Sequence, residues 1–217
     1  MPSYTSKEFV EAFENTIAPM TAADLSWDNV GIILDTSERN LKISKILLCI
    51  DLSMSVVDEA IEKKCQLILA YHPSIFGNGL KNINHVNPMQ SCLLKCARNS
   101  IGIFSPHTAL DNMSGGINDF LNTAFENPLP EMLKPEKMSS PTLKKPKQVV
   151  SGIQTVENIE TKSEDVGVGK IVTLVSEVSV DSVVQRIKEF LNLKHLRVAV
   201  PEGVKTIKLV ISFKQLR

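Results

Sequence analysis

The stretches LILAYHPSIF (residues 67–76) and IGIFSPHTALD (residues 101–111) decide the fold of this chain. In each stretch, a short apolar run typical of a buried β-strand leads into a histidine and turn-forming residues. A third run, ILLCIDLS (residues 46–53), ends in the same way at Asp51. The segments between these runs have helical patterns, so the sequence predicts the order strand–helix–strand–helix–strand in an α/β fold.

The predicted strand order places polar side chains at one edge of a sheet. Strands joined by helical crossovers run parallel, so their carboxyl ends meet at the same edge. Ligands of open α/β sheets bind there, and imidazole and carboxylate groups suit Zn²⁺, Mn²⁺, Fe²⁺ or Mg²⁺. The alternative is that the histidines are ordinary surface or hydrogen-bonded residues. We expect four side chains along this edge: Asp51, His72, His107 and Asp111.

Composition argues against direct binding to nucleic acid. The 217 residues contain 24 Lys and Arg against 24 Asp and Glu, so no basic excess attracts a polyanion. With 43% hydrophobic residues the chain can bury one large core or two modest ones. The four cysteines, at positions 49, 65, 92 and 96, lack the spacing of a metal motif and are expected to be reduced.

The sequence also carries no sign of membrane insertion. No apolar run approaches the roughly 20 residues that span a bilayer. The N-terminus, MPSYTSKEFVEAFE, has neither the apolar core of a signal peptide nor the Arg-rich pattern of a transit peptide. We therefore expect a cytoplasmic or nucleocytoplasmic location with no membrane contact.

Changes in composition along the chain predict two halves. Residues 1–126 form a first α/β half that carries the His/Asp site and begins with an amphipathic helix over residues 6–17, capped by Thr5 and Glu8. Residues 127–147, rich in proline and lysine, are expected to be a linker. Residues 148–217 then give a smaller, partial second α/β half.

Local patterns within the second half predict four strands and one helix, of which the last four elements form a β–α–β–β set. Its expected elements are strands over 148–156 and 170–176, a helix in SVVQRIKEFLNL, and strands in HLRVAV and TIKLVISF. DVGVGK (residues 165–170) lacks the first glycine and the final Ser or Thr of a phosphate-binding loop. We expect it to be a turn between strands.

Three segments together resemble the NIF-three-like family, also called the GTP cyclohydrolase 1 type 2 homologue family. They are ADLSWDNVGIIL (residues 23–34), ILAYHPSIF (68–76) and IFSPHTALDNMSGGINDFL (103–121), and their order and spacing match the family. The resemblance implies an α/β fold of two similar halves, a ring-like homo-oligomer that is commonly a hexamer, and a dinuclear divalent-metal centre. By the same resemblance, His72 and Asp111 are metal ligands, and His107 lines the site or orients Asp111.

The chain departs from the family pattern at two places. Tyr71 stands where the family often has the first of two histidines, and a protonated phenol, with an ordinary pKa near 10, is a poor metal ligand. The chain also ends at Arg217, before the family's C-terminal His-x-x-x-Glu pair, so we expect a C-terminally truncated form with an incomplete second half. One His and one Asp are fewer ligands than a stable zinc site has, so metal binding should be weak.

Two functions remain open from the sequence. The first is a metal-dependent hydrolase-like activity on an unknown substrate, impaired by the truncation, with His107 as the catalytic base. The second is a non-catalytic interaction module that binds a transcriptional regulator and acts as a corepressor partner. Asp51 is equally compatible with a helix cap and with a role in the site.

Overall fold

The three apolar runs that lead into Asp51, His72 and His107 form parallel strands in a computed structural model of the chain. The structure describes residues 3–36, 42–77, 79–125, 153–163 and 166–212. Its contacts divide the chain into two compact units, Met1–Met113 and Ser114–Arg217. Each unit is an α/β arrangement with its own sheet, which confirms the predicted fold class.

The first unit is built on a four-stranded sheet with the order β1-β4-β3-β2. Strands β2, β3 and β4 are mutually parallel, as predicted, whereas β1 pairs antiparallel with β4. The parallel alignment follows from the helical crossovers: α2 joins β2 to β3, and α3 joins β3 to β4. The strands are β1 (Gly31–Leu34), β2 (Ile46–Cys49), β3 (Leu67–Ala70) and β4 (Gly102–Ser105), and the two crossover helices are α2 (Met54–Glu62) and α3 (Pro88–Arg98).

Local capping chemistry sets the helix starts in this unit. Helix α1 (Ser6–Thr16) begins with the predicted capping box, in which Thr5 accepts from the Glu8 amide and the Glu8 carboxylate accepts from the Thr5 amide. In α3, Asn87 caps the first turn and proline occupies the first helical position. Ser53, not Asp51, is the cap of α2, so Asp51 remains available to the site.

The two faces of the sheet are covered by different helices. On one face, Ile68 and Ile103 pack with Val57 of α2 and Cys96 of α3, and all four are fully buried. On the other face, the ring of Phe104 packs against α1, with ring centroids 5.2 Å from Phe9 and 4.8 Å from Phe13. Because neighbouring residues of a strand point to opposite faces, Ile103 and Phe104 anchor the two layers.

The cysteines take the packing role that the sequence predicted. All four are free thiols, and Cys65, Cys92 and Cys96 are buried. Burial raises the pKa of Cys96 to about 12 and that of Cys49 to about 11, with the Asp51 charge adding to the shift at Cys49. These thiols are therefore protonated at neutral pH and serve as apolar packing groups.

The second unit has an antiparallel sheet with the order β5-β6-β7. Its core joins Ala124 and Phe125 to Val172, Leu174 and Val183, so the segment after Ser114 packs with the later strands. The buried Lys170 ammonium group is compensated by the Asp119 carboxylate, 2.9 Å away. The elements are α5 (Ile117–Asn122), a 3₁₀ turn (Thr123–Phe125), β5 (Ile153–Ser163), β6 (Val166–Ser179), α6 (Val180–Phe190) and β7 (Thr206–Ser212), and the short α4 (Thr108–Asn112) belongs to the first unit.

Two local predictions for this unit are wrong. HLRVAV (residues 195–200) is not a strand, because it pairs with no strand in the described part of the chain and most of it is exposed. GVGK, expected in a turn, lies inside β6, where Gly167 pairs with Thr161 and Gly169 with Ile159. Cross-strand pairing along β5 overrides the local preference of glycine for turns.

The predicted linker, residues 127–147, lies outside the described residues. The predicted division of the chain into two halves joined by this linker therefore stays a prediction.

No helix within the described ranges is long and apolar enough to cross a membrane.

Truncating the ring that joins α1 to the sheet should destabilise the first unit. Phe104→Ala removes a fully buried ring and should lower the free energy of unfolding of this unit by about 3–5 kcal/mol. Because Trp27 is the chain's only tryptophan, its fluorescence during urea unfolding reports on this unit alone. The control Leu48→Ala, at a side chain that is 71% exposed, should change the free energy of unfolding by less than about 0.5 kcal/mol. A loss below about 1 kcal/mol for Phe104→Ala would contradict the packing described.

Candidate functional site

The carboxyl end of β3 presents Tyr71 and His72 on a fixed backbone. The amide of Tyr71 donates to the Cys49 carbonyl (2.9 Å) and the amide of His72 donates to the Ile50 carbonyl (3.0 Å), which continues the pairing of β2 with β3. The buried Ser105 hydroxyl donates to the Tyr71 carbonyl at 2.8 Å. These bonds tie the ends of three strands together, so the side chains that follow have little freedom to move.

The backbone of His107 has an unusual conformation. It lies between β4 and α4 with φ of 36° and ψ of −126°, a region that residues with a side chain rarely adopt. The side chain is almost completely buried. Strained backbone of this kind persists only where the surroundings hold it, and it concentrates at functional sites. The sharp turn brings the imidazole back towards the end of β3.

A buried carboxylate holds the His107 ring. Asp28 Oδ1 lies 2.5 Å from Nδ1 of His107, the Thr108 hydroxyl donates to Asp28 Oδ2, and the Asn29 amide donates to Oδ1 at 2.7 Å. Burial by itself raises the pKa of Asp28, but the hydrogen bonds from His107 and Thr108 outweigh it and hold the pKa below its ordinary 3.8. Asp28 is therefore ionised and fixes the ring through Nδ1, so Nε2 is the nitrogen outside this pair.

Asp111 is bound by the phenol of Tyr71. The Tyr71 hydroxyl lies 2.7 Å from Oδ1 and 2.8 Å from Oδ2 of Asp111, and both side chains are buried. Burial raises the pKa of Tyr71 far above its ordinary 10.0, and the hydrogen bond and negative charge of Asp111 raise it further. The phenol therefore stays neutral and acts as a hydrogen-bond donor.

His72 and Asp51 form a second, more exposed pair at the rim. Nδ1 of His72 lies 2.7 Å from Oδ1 of Asp51, and the two side chains are 35% and 74% exposed. The sequence predicted both residues at this edge but not their direct contact. In this pair Asp51 orients the imidazole of His72, which is the role of a supporting residue beside a site.

Three of the rings at this edge lie side by side. The ring centroid of His72 is 4.8 Å from that of Tyr71 and 5.8 Å from that of His107, and Tyr71 and His107 are 5.8 Å apart. Asp111 is joined to this group through Tyr71, and Asp51 through His72. We call Tyr71, His72, His107 and Asp111 the edge cluster. The four residues predicted from sequence are thus placed in or directly against one cluster.

Two half-exposed aromatic side chains flank the edge cluster. The ring of Phe76 stands 5.7 Å from that of His107, and the Trp27 ring is 6.4 Å from Phe76, in both cases edge to face. Asn29 fixes this loop because its side-chain amide donates to the Ile75 carbonyl at 2.7 Å. Exposed rings next to a buried polar cluster offer a contact surface for an apolar or planar group.

The donors of the edge cluster fit a divalent metal in kind but not in number. His72 and Asp111 supply an imidazole and a carboxylate, which is a suitable chemistry. Tyr71 is protonated and donates to the carboxylate, and the Nδ1 atoms of His72 and His107 are paired with Asp51 and Asp28. Within the described residues no three His, Cys, Asp or Glu side chains are grouped to hold a metal. These two donors are fewer than a stable zinc site uses.

Sequence reasoning missed Asp28 and the part played by Tyr71. Asp28 precedes His107 by 79 positions, so no local spacing connects them. The available signal was the unusual SWDN stretch, where the only tryptophan stands before an Asp-Asn pair. The stretch shows that this segment is unusual, but it does not show that Asp28 contacts His107.

Comparison with known proteins shows relatives along almost the whole chain. The sequence is 30% identical over 189 residues to the Saccharomyces cerevisiae protein named NGG1-interacting factor 3, an alignment that covers 83% of this chain and 59% of that protein. It is 35% identical over 133 residues to the Bacillus subtilis protein named GTP cyclohydrolase 1 type 2 homolog, covering 61% of this chain and 34% of that protein. The chain thus spans about three fifths of the yeast protein and about a third of the bacterial one.

A solved structure agrees with the fold. A Bacillus cereus protein described as related to NIF3 superposes with a TM-score of 0.68 at 22% identity, covering 98% of this chain and 76% of that one. The sequence model of the family described as Duf34/NIF3 (NGG1p interacting factor 3) matches residues 4–211. Since that match spans nearly the entire chain, this protein belongs to the Duf34/NIF3 family.

Proposed function

We propose that the edge cluster is a weak divalent-metal site with hydrolase-like chemistry, in which His72 and Asp111 are the ligands and His107 is the base. The observation that carries this proposal is the pairing of His107 with the buried Asp28 beside His72. A base held in place by a carboxylate next to donors of a metal-binding kind is an arrangement that can activate water for hydrolysis of a polar substrate. Zn²⁺, Mn²⁺, Fe²⁺ and Mg²⁺ all suit this set of donors.

Each residue of the cluster has a distinct task in this proposal. A divalent ion, when bound, would lower the pKa of water and polarise a substrate oxygen. His107, fixed through Nδ1 by Asp28, accepts a proton at Nε2. The half-exposed rings of Trp27 and Phe76 contact the substrate beside His107. The name of the Bacillus subtilis relative, a GTP cyclohydrolase 1 type 2 homolog, makes a nucleotide the first substrate class to screen.

A second candidate function is a non-catalytic interaction module. The yeast relative is named an interacting factor, which favours a transcriptional regulator as partner and a nuclear as well as a cytoplasmic location. In the first unit, β2 is an edge strand of the described sheet, and its side chains Ile46 and Leu48 are 37% and 71% exposed, as is Ile50 directly after it, by 62%. Exposed apolar residues along a sheet edge favour contact with another protein.

Metal content tests the first proposal. Removing either ligand by His72→Ala or Asp111→Asn should abolish retained metal, because one donor cannot hold an ion against buffer. Elemental mass spectrometry after equilibrium dialysis against a fixed concentration of Zn²⁺, with the ion in the dialysis buffer subtracted, measures the ions bound per chain. The control His195→Ala, at an exposed histidine of the second unit, should bind as much metal as the unmodified protein. Equal metal in Asp111→Asn and the unmodified protein would rule out the assigned site.

The Asp28–His107 pair should give the first unit a pH-dependent stability. Since the folded-state pKa of Asp28 is lowered, its contribution is present at neutral pH and is lost as the pH falls below 3.8 towards the folded value. Asp28→Asn should therefore lower the free energy of unfolding of the first unit by about 1–3 kcal/mol at pH 7. The loss should become progressively smaller below pH 3.8.

Urea unfolding followed by Trp27 fluorescence at several pH values measures this dependence. The control Asp58→Asn removes an exposed partner of Lys95. It should lower the free energy of unfolding by less than about 1 kcal/mol at pH 7. A penalty for Asp28→Asn that is the same at pH 7 and pH 3 would show that the Asp28 charge does not stabilise the fold.

The two candidate functions separate by mutation. If the protein is an interaction module, Leu48→Asp should abolish co-purification of a transcriptional regulator with the tagged chain, while Asp111→Asn should leave it intact. Size-exclusion chromatography with light scattering separates this effect from a change in self-association. Recovery of the tagged chain alone would count against the interaction module.

A further inference from the structure

The outer edge of β2 is open for pairing with another strand. The carbonyls of Lys45 and Cys49 accept from amides at the two ends of β3, so these residues direct their backbone groups towards β3. Backbone groups alternate in direction along a strand, and Ile46 and Leu48 therefore direct theirs away from the described sheet. A strand edge of this kind is a template on which a further strand can pair.

The side chains along this edge are apolar in the middle and charged at the two ends. Leu48 is exposed, and so are Ile46 and Ile50 on either side of it. Lys45 precedes this apolar row and Asp51 follows it, and both are exposed. The two opposite charges stand at the same distance from Leu48 along the chain, in opposite directions.

A strand with this pattern is complementary to a second copy of itself. Two copies of β2 can pair antiparallel about a two-fold axis that passes between their Leu48 residues. Ile46 then lies opposite Ile50 of the partner subunit, and Lys45 lies opposite Asp51 of the partner subunit. Residues that are directly opposite in an antiparallel pair have their side chains on the same face of the sheet, close enough to interact.

The charges select this register over its neighbours. A shift of the pairing by two residues keeps the outward backbone groups together, but it brings Lys45 opposite Cys49 or Ser53 of the partner subunit. In those registers Asp51 also meets no opposite charge. Because cross-strand pairs of opposite charge stabilise a sheet, the register centred on Leu48 is favoured.

We propose that two copies of this chain associate through antiparallel pairing of their β2 strands, with Lys45 of each copy beside Asp51 of the partner subunit. Asp51 contacts His72, so the pairing brings a residue of the second copy to the rim of the edge cluster. The Lys45 ammonium group, which donates to the exposed Lys63 carbonyl in the single chain, exchanges this bond for a charged partner. The inference does not depend on the proposed metal site, and it makes a second copy, not a transcriptional regulator, the occupant of β2.

Charge reversal at the two ends of the strand tests the pairing. Light scattering of the full 217-residue chain over a range of concentrations should give at least twice the mass of one chain. Lys45→Asp and Asp51→Lys each place like charges opposite one another, and each should raise the dissociation constant at least about tenfold. The control Lys81→Glu, at an exposed lysine of the loop before α3, should change the dissociation constant by less than about twofold.

Exchanging the two charges within one chain tests the register. The double variant, with Lys45→Asp and Asp51→Lys together, again places opposite charges across the two-fold axis. Its dissociation constant should return to within about threefold of that of the unmodified protein. Trp27 fluorescence shows whether the first unit of each variant is folded.

A disulfide across the two-fold axis tests the pairing without changing a charge. Directly opposed residues of antiparallel strands have Cα atoms about 4.5–5.5 Å apart, which suits a disulfide. Leu48→Cys should therefore form a covalent dimer on mild oxidation, detected by non-reducing electrophoresis. The control Val86→Cys, at the more exposed side chain of a loop, should form no more covalent dimer than the unmodified protein.

Three results would overturn the proposal. The first is an unmodified chain that stays monomeric at every concentration measured, whichever other protein binds β2. The second is association that is equally strong in both charge variants and gives no covalent dimer with Leu48→Cys, because the contact then lies elsewhere. The third is a folded double variant that associates no better than the single variants. None of these results changes the metal content expected of the unmodified protein, so the proposed metal site is decided by its own test.

Discussion

Two buried carboxylates at the edge of the first sheet constrain everything around them. Asp28 and Asp111 are both removed from solvent, and an uncompensated buried charge would cost several kcal/mol. Each is matched by a ring that donates to it: Asp28 by His107 and Asp111 by Tyr71. The need to satisfy these two charges brings distant parts of the chain to the carboxyl ends of the strands and fixes the rings there.

The layers around the sheet give this arrangement its rigidity. The parallel strands are held from one side by the buried packing of α2 and α3 and from the other by α1 through Phe104. Backbone bonds carry the pairing of β2 and β3 past the last residues of the strands, so Tyr71 and His72 leave a well-fixed edge. The strained backbone of His107 is maintained by the same surroundings. The packed core therefore holds Tyr71, His72 and the strained backbone of His107 in fixed positions.

The edge cluster contains two polar groups that are held in different ways. His107 is held in one orientation by Asp28, while Asp111 is engaged by a neutral phenol at the front of its fork. The exposed apolar residues Ile46 and Leu48 lie on β2, whereas the residues of the edge cluster follow β3 and β4.

The sequence by itself determined the elements and their order, because their signals are local. Apolar runs ending in His72, His107 and Asp51 gave the parallel strands and the edge on which these residues lie, and Thr5 with Glu8 located the first helix. Tertiary structure alone decided what each polar group contacts. Asp28 meets His107, and Tyr71 meets Asp111, across separations that carry no periodic signal. It also placed GVGK within a strand and gave residues 195–200 no strand partner among the described residues, because strand pairing is settled by partners distant in the chain.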